Sequence, residues 1–198
     1  MEPDLLVATT NGGKLAEFER LLGPCAVRLI ATDPQVEEVG ESYSANALLK
    51  AEAASAQAEL PALGDDSGLE VEALGGYPGL HSARIAPSDR ERIELLWGRL
   101  RESGRPRPWR ARFVCVIALA VPGRVSQVYR GECEGEIVTP ARGRSGFGYD
   151  PIFVPDGSGM TLAELGPGYK DVFGHRALAA RRLMEAGELE SILHRSGH

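Results

Sequence analysis

Cysteine is scarce: Cys25, Cys115 and Cys133 are the three present in 198 residues. They lie far apart, are odd in number and form no CxxC pair, so they point to neither a zinc site nor a disulfide framework. A reducing compartment is the simpler setting. Positive charge is not in excess. Lys and Arg number 22 against 28 Asp and Glu, a formal net charge of −6, which argues against non-specific binding to nucleic acid or to an anionic membrane. A local cluster of cations can still hold a small anion. Long apolar runs are missing too. The longest, from Phe113 to Val121, is too short to cross a bilayer and lies between arginines. The first residues lack the basic stretch and apolar run of a secretory leader, so a cytoplasmic protein is expected. There is no internal repeat and no low-complexity segment.

What is present is the composition of a globular chain, 43% hydrophobic and 25% charged, enough to bury a core without covalent staples. The length fits one large domain or two small lobes around a cleft. Leu5 to Ala8 reads as a strand and Thr9 to Gly13 as a turn. Lys14 to Leu22 has helical spacing, with Leu15, Phe18, Leu21 and Leu22 on one face and Gly23-Pro24 as the stop. Val27 to Ala31 reads as a second strand. Ser44 is expected to cap a helix running to about Gln57, with Leu48, Ala51 and Ser55 inward. Ala62 to Gly64 is a short strand expected to end at Asp65-Asp66-Ser67-Gly68, with Leu69 to Val71 extended beyond. Ser88 and Glu91 form a capping box for a helix through Ile93, Leu96 and Leu100. Arg105 to Pro108 is the linker-like stretch and the candidate internal joint. Arg110 to Val121 and Val125 to Glu134, joined by Pro122-Gly123, predict a β-hairpin. His175 to Met184 is helical and ended by Gly187. Strands and helices alternate before the hairpin, which gives a mixed α/β architecture.

Four clusters carry chemistry. In Thr9-Thr10-Asn11-Gly12-Gly13-Lys14, glycines let backbone N–H groups approach an anion, and the helix start adds partial positive charge. The glycine spacing is not that of a Walker loop, and alone an ordinary strand-to-helix turn is the better reading. Asp65 and Asp66, with Glu37 and Glu38 upstream, suit a hard cation that bridges phosphates, and one of them can take a proton from water. Solvated acids are about as good a reading for Asp65, whereas Asp66 leans to function. In Gly146-Phe147-Gly148-Tyr149-Asp150-Pro151, an aromatic between glycines can offer its face to a planar base; for Tyr149 a core role is the better reading. Lys170 with His175-Arg176 supplies donors that match purine carbonyls, against a solvated helix start, which stays competitive for His175.

In this order the clusters resemble the inosine triphosphate pyrophosphatase family. Glu37-Glu38-Val39-Gly40, Asn46-Ala47, Lys50-Ala51, Gly75-Gly76-Tyr77-Pro78-Gly79 and Ser82-Ala83-Arg84 fill the intervals. The resemblance covers nearly the whole chain. It implies an elongated mixed α/β fold with a mixed sheet and a central substrate cleft between two lobes, and one pyrophosphatase domain over residues 1–198. It implies a homodimer, Mg2+ as cofactor, and cleavage of inosine, deoxyinosine and xanthosine triphosphates between the α- and β-phosphates. Asp66 matches the proton acceptor and metal aspartate, and Glu37 the metal glutamate, with Glu38 and Asp65 as less favoured ligands. Thr9, Thr10, Asn11, Gly12, Gly13, Lys14 and Lys50 match phosphate contacts, and Ser67 a substrate contact. Phe147, Gly148, Tyr149, Asp150, Lys170, His175 and Arg176 match the base pocket. The sequence departs from the pattern at Thr10, where glycine is usual, and at Gly174, where serine usually precedes the His-Arg pair. Two other readings stand beside this one: a related pyrophosphatase for modified pyrimidine or methylated nucleotides, disfavoured by Lys170, His175 and Arg176, and a nucleotide-binding regulator without catalysis, disfavoured by the intact acids.

Overall fold

The computed structural model describes residues 3–193; the ends of the expected domain, 1–2 and 194–198, lie outside that range. The architecture is mixed α/β, as expected. Strands β1 (Asp4–Ala8), β2 (Arg28–Thr32), β3 (Ala62–Val71), β4 (Trp109–Ala120), β5 (Gln127–Ile137) and β6 (Phe153–Pro155) form a sheet ordered β2-β1-β3-β4-β5-β6. β1 runs parallel to β2 and β3, whereas β5 and β6 are antiparallel, so the sheet is mixed. The helices are α1 (Gly12–Leu22), α2 (Tyr43–Ala58), α3 (Asp89–Glu102), α4 (Leu162–Phe173), α5 (His175–Glu185) and α6 (Glu188–Leu193). Among the described residues no helix is long and apolar enough to cross a membrane.

Two compact units are formed. One comprises Met1–Asp66, Cys115–Gly131 and Arg176–His198, the other Ser67–Val114 and Glu132–His175. The division falls within β3, β4 and β5 and between His175 and Arg176, not at residues 105–108 as their composition led one to expect. Those residues join α3 to β4 inside the second unit; their Pro and Arg content marks a surface connection and not a joint.

In the first unit Leu5 and Val7, two apart on β1, meet Phe18 and Leu22, four apart on α1, with Leu63, Ile117 and Leu183. Strand and helix periodicities thus bring the same core together, and each such side chain contributes about 1.5–3 kcal/mol on burial. Asn11 caps α1, its side chain accepting from the Lys14 N–H at 3.1 Å. Gly23-Pro24 do not end the helical path at once. A 3-10 turn follows, and Ala26 at φ 53° closes it.

α2 starts two residues earlier than its sequence predicts. Ser42, not Ser44, is the cap, accepting from Ala45 N–H at 3.1 Å. Its buried face holds Asn46, Ala47, Ala51, Ala54 and Ser55, with Leu48 only half-buried. Small residues are needed because β3 comes so close: a Cβ at Gly64 would overlap the Ala47 carbonyl. β3 itself does not end at the acids but continues through Asp65-Asp66-Ser67-Gly68 to Val71. β1 pairs with β3 only as far as Gly64; beyond it the low strand propensity of Asp, Ser and Gly is overridden where the buried carboxylates find partners.

In the second unit Leu69 and Val71 pack with Ile93, Leu96 and Leu100 of α3, and with Phe113, Ile152 and Phe153. The Ser88–Glu91 capping box forms as expected. Helix α4 went unread in the sequence, although Thr161 and Glu164 make a second capping box at its start. Gly166, at φ 76°, and Pro167 break it in the middle and hide the period.

Candidate active site

The first unit gathers charge around the amino end of α1. Thr9 Oγ1 accepts from the Asn11 N–H at 3.1 Å, and Asn11 in turn caps the helix, so the turn is shaped by its own side chains. Thr10, the first departure from the family pattern, is exposed. Gly12 and Gly13 open α1, where backbone N–H groups and the helix dipole favour an anion. Lys14 is not a free surface cation: it forms an ion pair with Asp65 and only 17% of its side chain is exposed.

Adjacent residues of a strand face opposite ways, and the two aspartates divide accordingly. Asp65 is 2% exposed. It meets Lys14, receives Arg176 Nε and Nη2 at 3.1 Å, and accepts the Cys115 thiol at 3.0 Å. Burial alone would raise its pKa, but Arg176, Lys14 and Lys50 hold it well below the usual carboxylate range. Asp65 is thus a fixed anion. Arg176 is 2% exposed and also bonds Glu17 on α1. The sequence reading made Arg176 a donor to a purine carbonyl and left Glu17 unmentioned. In the structure the guanidinium bonds two buried carboxylates, Asp65 and Glu17. The signal for Glu17 was an acid on the apolar side of α1, next to Phe18.

Asp66 lies in different company. It is 4% exposed, and Asn46 Nδ2 donates to it at 2.9 Å. Asn46 Oδ1 accepts the Gly40 N–H at 2.7 Å, tying the loop of Glu38 to the same side chain. Asn46 was not assigned a role in the sequence; a wholly buried amide in a helix is its signal. Burial raises the Asp66 pKa, Lys50 and Asn46 oppose the rise, and the negative charge of Glu38 adds to it. Glu38 binds Lys50 at 2.6 Å, and Lys50 also donates to the Asp65 carbonyl. Glu37 is exposed. The structure therefore sets Glu38, the less favoured of the expected pair, in the field of Asp66. Among the described residues no group of three or more His, Cys, Asp or Glu forms a complete metal cage. A carboxylate raised by a second one nearby suits Mg2+, which binds through one or two protein oxygens and keeps the rest for water and phosphate. Ser67, half-buried, follows Asp66 on β3.

The second unit holds the aromatic loop. Gly146 is at φ 80°, and a Cβ there would overlap the Asp150 carboxylate. Asp150 Oδ2 accepts the Phe147 N–H at 3.0 Å and Lys170 Nζ at 2.8 Å. Lys170 also lies over the Phe147 ring, 4.7 Å from its centroid. Tyr149 is buried, as its core reading anticipated, and its hydroxyl donates to the Ser82 carbonyl at 2.8 Å. His175 is buried and stacks on Phe113 at 4.7 Å, so neither it nor Lys170 is a solvated helix end. Gly174, the second departure, leaves α4 with Lys170's carbonyl 2.5 Å from where a Cβ would be. Serine would need the backbone to shift.

A buried fixed anion, a second carboxylate of raised pKa, lysines and a helix amino end give this α/β protein the chemistry to handle a phosphorylated anion. The chain belongs to the Ham1 family, whose family model matches residues 5–186. It is 45% identical over 185 residues to the dITP/XTP pyrophosphatase of Symbiobacterium thermophilum, covering 91% of this chain and 93% of the relative. It is 43% identical over 192 residues to the dITP/XTP pyrophosphatase of Geobacillus kaustophilus, covering 93% and 94%. The solved structure of the Staphylococcus aureus Ham1 protein matches with a TM-score of 0.81 at 37% identity, over 94% of this chain and 99% of that one.

Proposed function

We propose that this protein is a hydrolase that converts inosine, deoxyinosine and xanthosine triphosphates to their monophosphates and pyrophosphate. The observation that carries the reading is Asp66: a buried carboxylate of raised pKa, oriented by Asn46 and set beside Glu38. Glu38 and Asp66 would hold Mg2+, which when bound neutralises phosphate charge and orients the reacting groups. Asp66 accepts the proton of the attacking water. The new P–O bond forms at the α-phosphorus, the bond to the bridging oxygen breaks, and pyrophosphate leaves. Lys14 and Lys50 exchange carboxylate and carbonyl partners for the β- and γ-phosphates, and the N–H groups at the start of α1 assist. Asp65 stays ionised against Arg176 throughout. Phe147 stacks on the base, while Lys170 and His175 give donors suited to a purine carbonyl and Ser67, Tyr149 and Asp150 shape the surroundings. Those donors favour purines over modified pyrimidines.

We read residues 1–198 as one functional domain, cytoplasmic and homodimeric. Free thiols at Cys25, Cys115 and Cys133 fit a reducing compartment; the dimer rests on the family resemblance. The test is to supply inosine triphosphate and Mg2+ and identify the products. Inosine monophosphate with pyrophosphate is expected. Diphosphate with orthophosphate would overturn attack at the α-phosphorus, and no turnover on any purine triphosphate would overturn the enzyme reading.

A further inference from the structure

The peptide groups on either side of Phe147 are each pinned by a carboxylate. Its own N–H goes to Asp150 at 3.0 Å. The next one, Gly148 N–H, goes to Asp89 Oδ2 at 2.7 Å, across 59 residues of sequence. Asp89 is the first residue of α3. Its other oxygen accepts Arg92 Nη1 at 2.7 Å, and Arg92 Nε is anchored on the Ala86 carbonyl at 2.8 Å. The carboxylate is therefore aimed before it meets the loop.

The loop has little else on that side. Gly148 is at φ 61°, and among the described residues a Cβ there would meet no atom within 4 Å. A cavity of about 420 Å³, lined by Asp89, Ile93, Trp97, Phe147 and Gly148, runs beside it. The carbonyl of the Phe147–Gly148 peptide accepts the Asp150 N–H at 3.2 Å, and on the open face its N–H is held by Asp89. Without Asp89 the peptide after Phe147 keeps only its carbonyl bond to Asp150, beside open space.

We infer that Asp89 is a positioning residue that sets the plane of Phe147 for the purine base. The inference rests on the reading above that Phe147 stacks on the base. Asp89 touches no substrate in this scheme and acts through the Gly148 peptide.

Three variants of the full chain, D89S, D89N and F147A, test it with Mg2+ present. Inosine monophosphate affinity is measured by calorimetry, and inhibition by inorganic tripolyphosphate reports the phosphate contacts separately. Serine is a good helix-starting residue but is too short to reach Gly148. Asparagine keeps an acceptor without the charge. Losing a charge-assisted hydrogen bond at a half-exposed site should weaken monophosphate binding about tenfold in D89S. D89N should fall between D89S and the wild type, and tripolyphosphate inhibition should be unchanged in both. A D89S protein that binds the monophosphate normally while F147A does not would overturn the role of Asp89 alone. Normal binding in both D89S and F147A would overturn the base-site reading itself. Equal loss toward monophosphate and tripolyphosphate would show general support of the fold and would also overturn the positioning role. Should D89S fail to fold, D89N carries the test, and wild-type monophosphate affinity in D89N refutes it.

Discussion

Replacing Arg176 by methionine keeps the volume of the side chain and removes its charge. Arg176 and Asp65 are each 2% exposed and Glu17 is 4% exposed, so two carboxylates would lose a buried partner. Breaking a buried pair from one side costs about 3–5 kcal/mol. Lys14 still faces Asp65, which favours the lower end, about 3 kcal/mol. At about 1.4 kcal/mol per decade, the ratio of folded to unfolded protein falls roughly a hundredfold. Urea unfolding monitored by circular dichroism reads this as a lower midpoint at unchanged slope. Adding E17Q should restore part of the loss, with a coupling of about 0.5–3 kcal/mol. The pH dependence has a definite sign. The folded-state pKa of Asp65 is depressed, so its contribution is present above the ordinary value of 3.8 and fades as pH falls through the folded value. The advantage of wild type over R176M should therefore narrow below about pH 4. Activity toward inosine and adenosine triphosphates should fall together. A stability loss under about 1 kcal/mol, strictly additive with E17Q, would refute the network. A selective fall of kcat/KM for inosine triphosphate would return Arg176 to base reading.

D66N should lower kcat by about 10²–10⁴-fold while inosine monophosphate still binds, measured by steady-state kinetics and calorimetry; near-normal turnover would make Asp66 structural. K14A and K50A should weaken inhibition by tripolyphosphate more than binding of the monophosphate. Equal losses would show that these lysines do not read the outer phosphates. S88A removes the side-chain half of the α3 capping box, leaving the backbone N–H of residue 88 to Glu91, and should cost about 1 kcal/mol in urea unfolding, with unchanged kcat.

Much of the fold was legible locally. The alternation of Leu5 and Val7, the spacing of Phe18 and Leu22, and the Ser88–Glu91 box are short-range patterns, and each appears in the structure. Local rules failed where a distant neighbour decided. Asp65-Asp66-Ser67-Gly68 reads as a strand end, yet it lies inside β3, its carboxylates bonded to Arg176 and Asn46 from distant parts of the chain. Ser44 is as good a cap as Ser42, but Ser42 is the one placed to accept from Ala45. α4 was hidden because Gly166 and Pro167 interrupt its period.

The sequence by itself determined the mixed α/β class, the first helix and its phosphate-type turn, and the family, because order and spacing of short motifs survive in one dimension. Only the tertiary structure decided how the charges are shared. It gave Arg176 to Asp65 and Glu17, brought the charge of Glu38 to bear on Asp66, and tied Gly148 to Asp89. Each of these depends on which groups far apart in the chain share a buried place, where a charge without a partner costs several kcal/mol, so the pairing is fixed by packing and not by any local pattern.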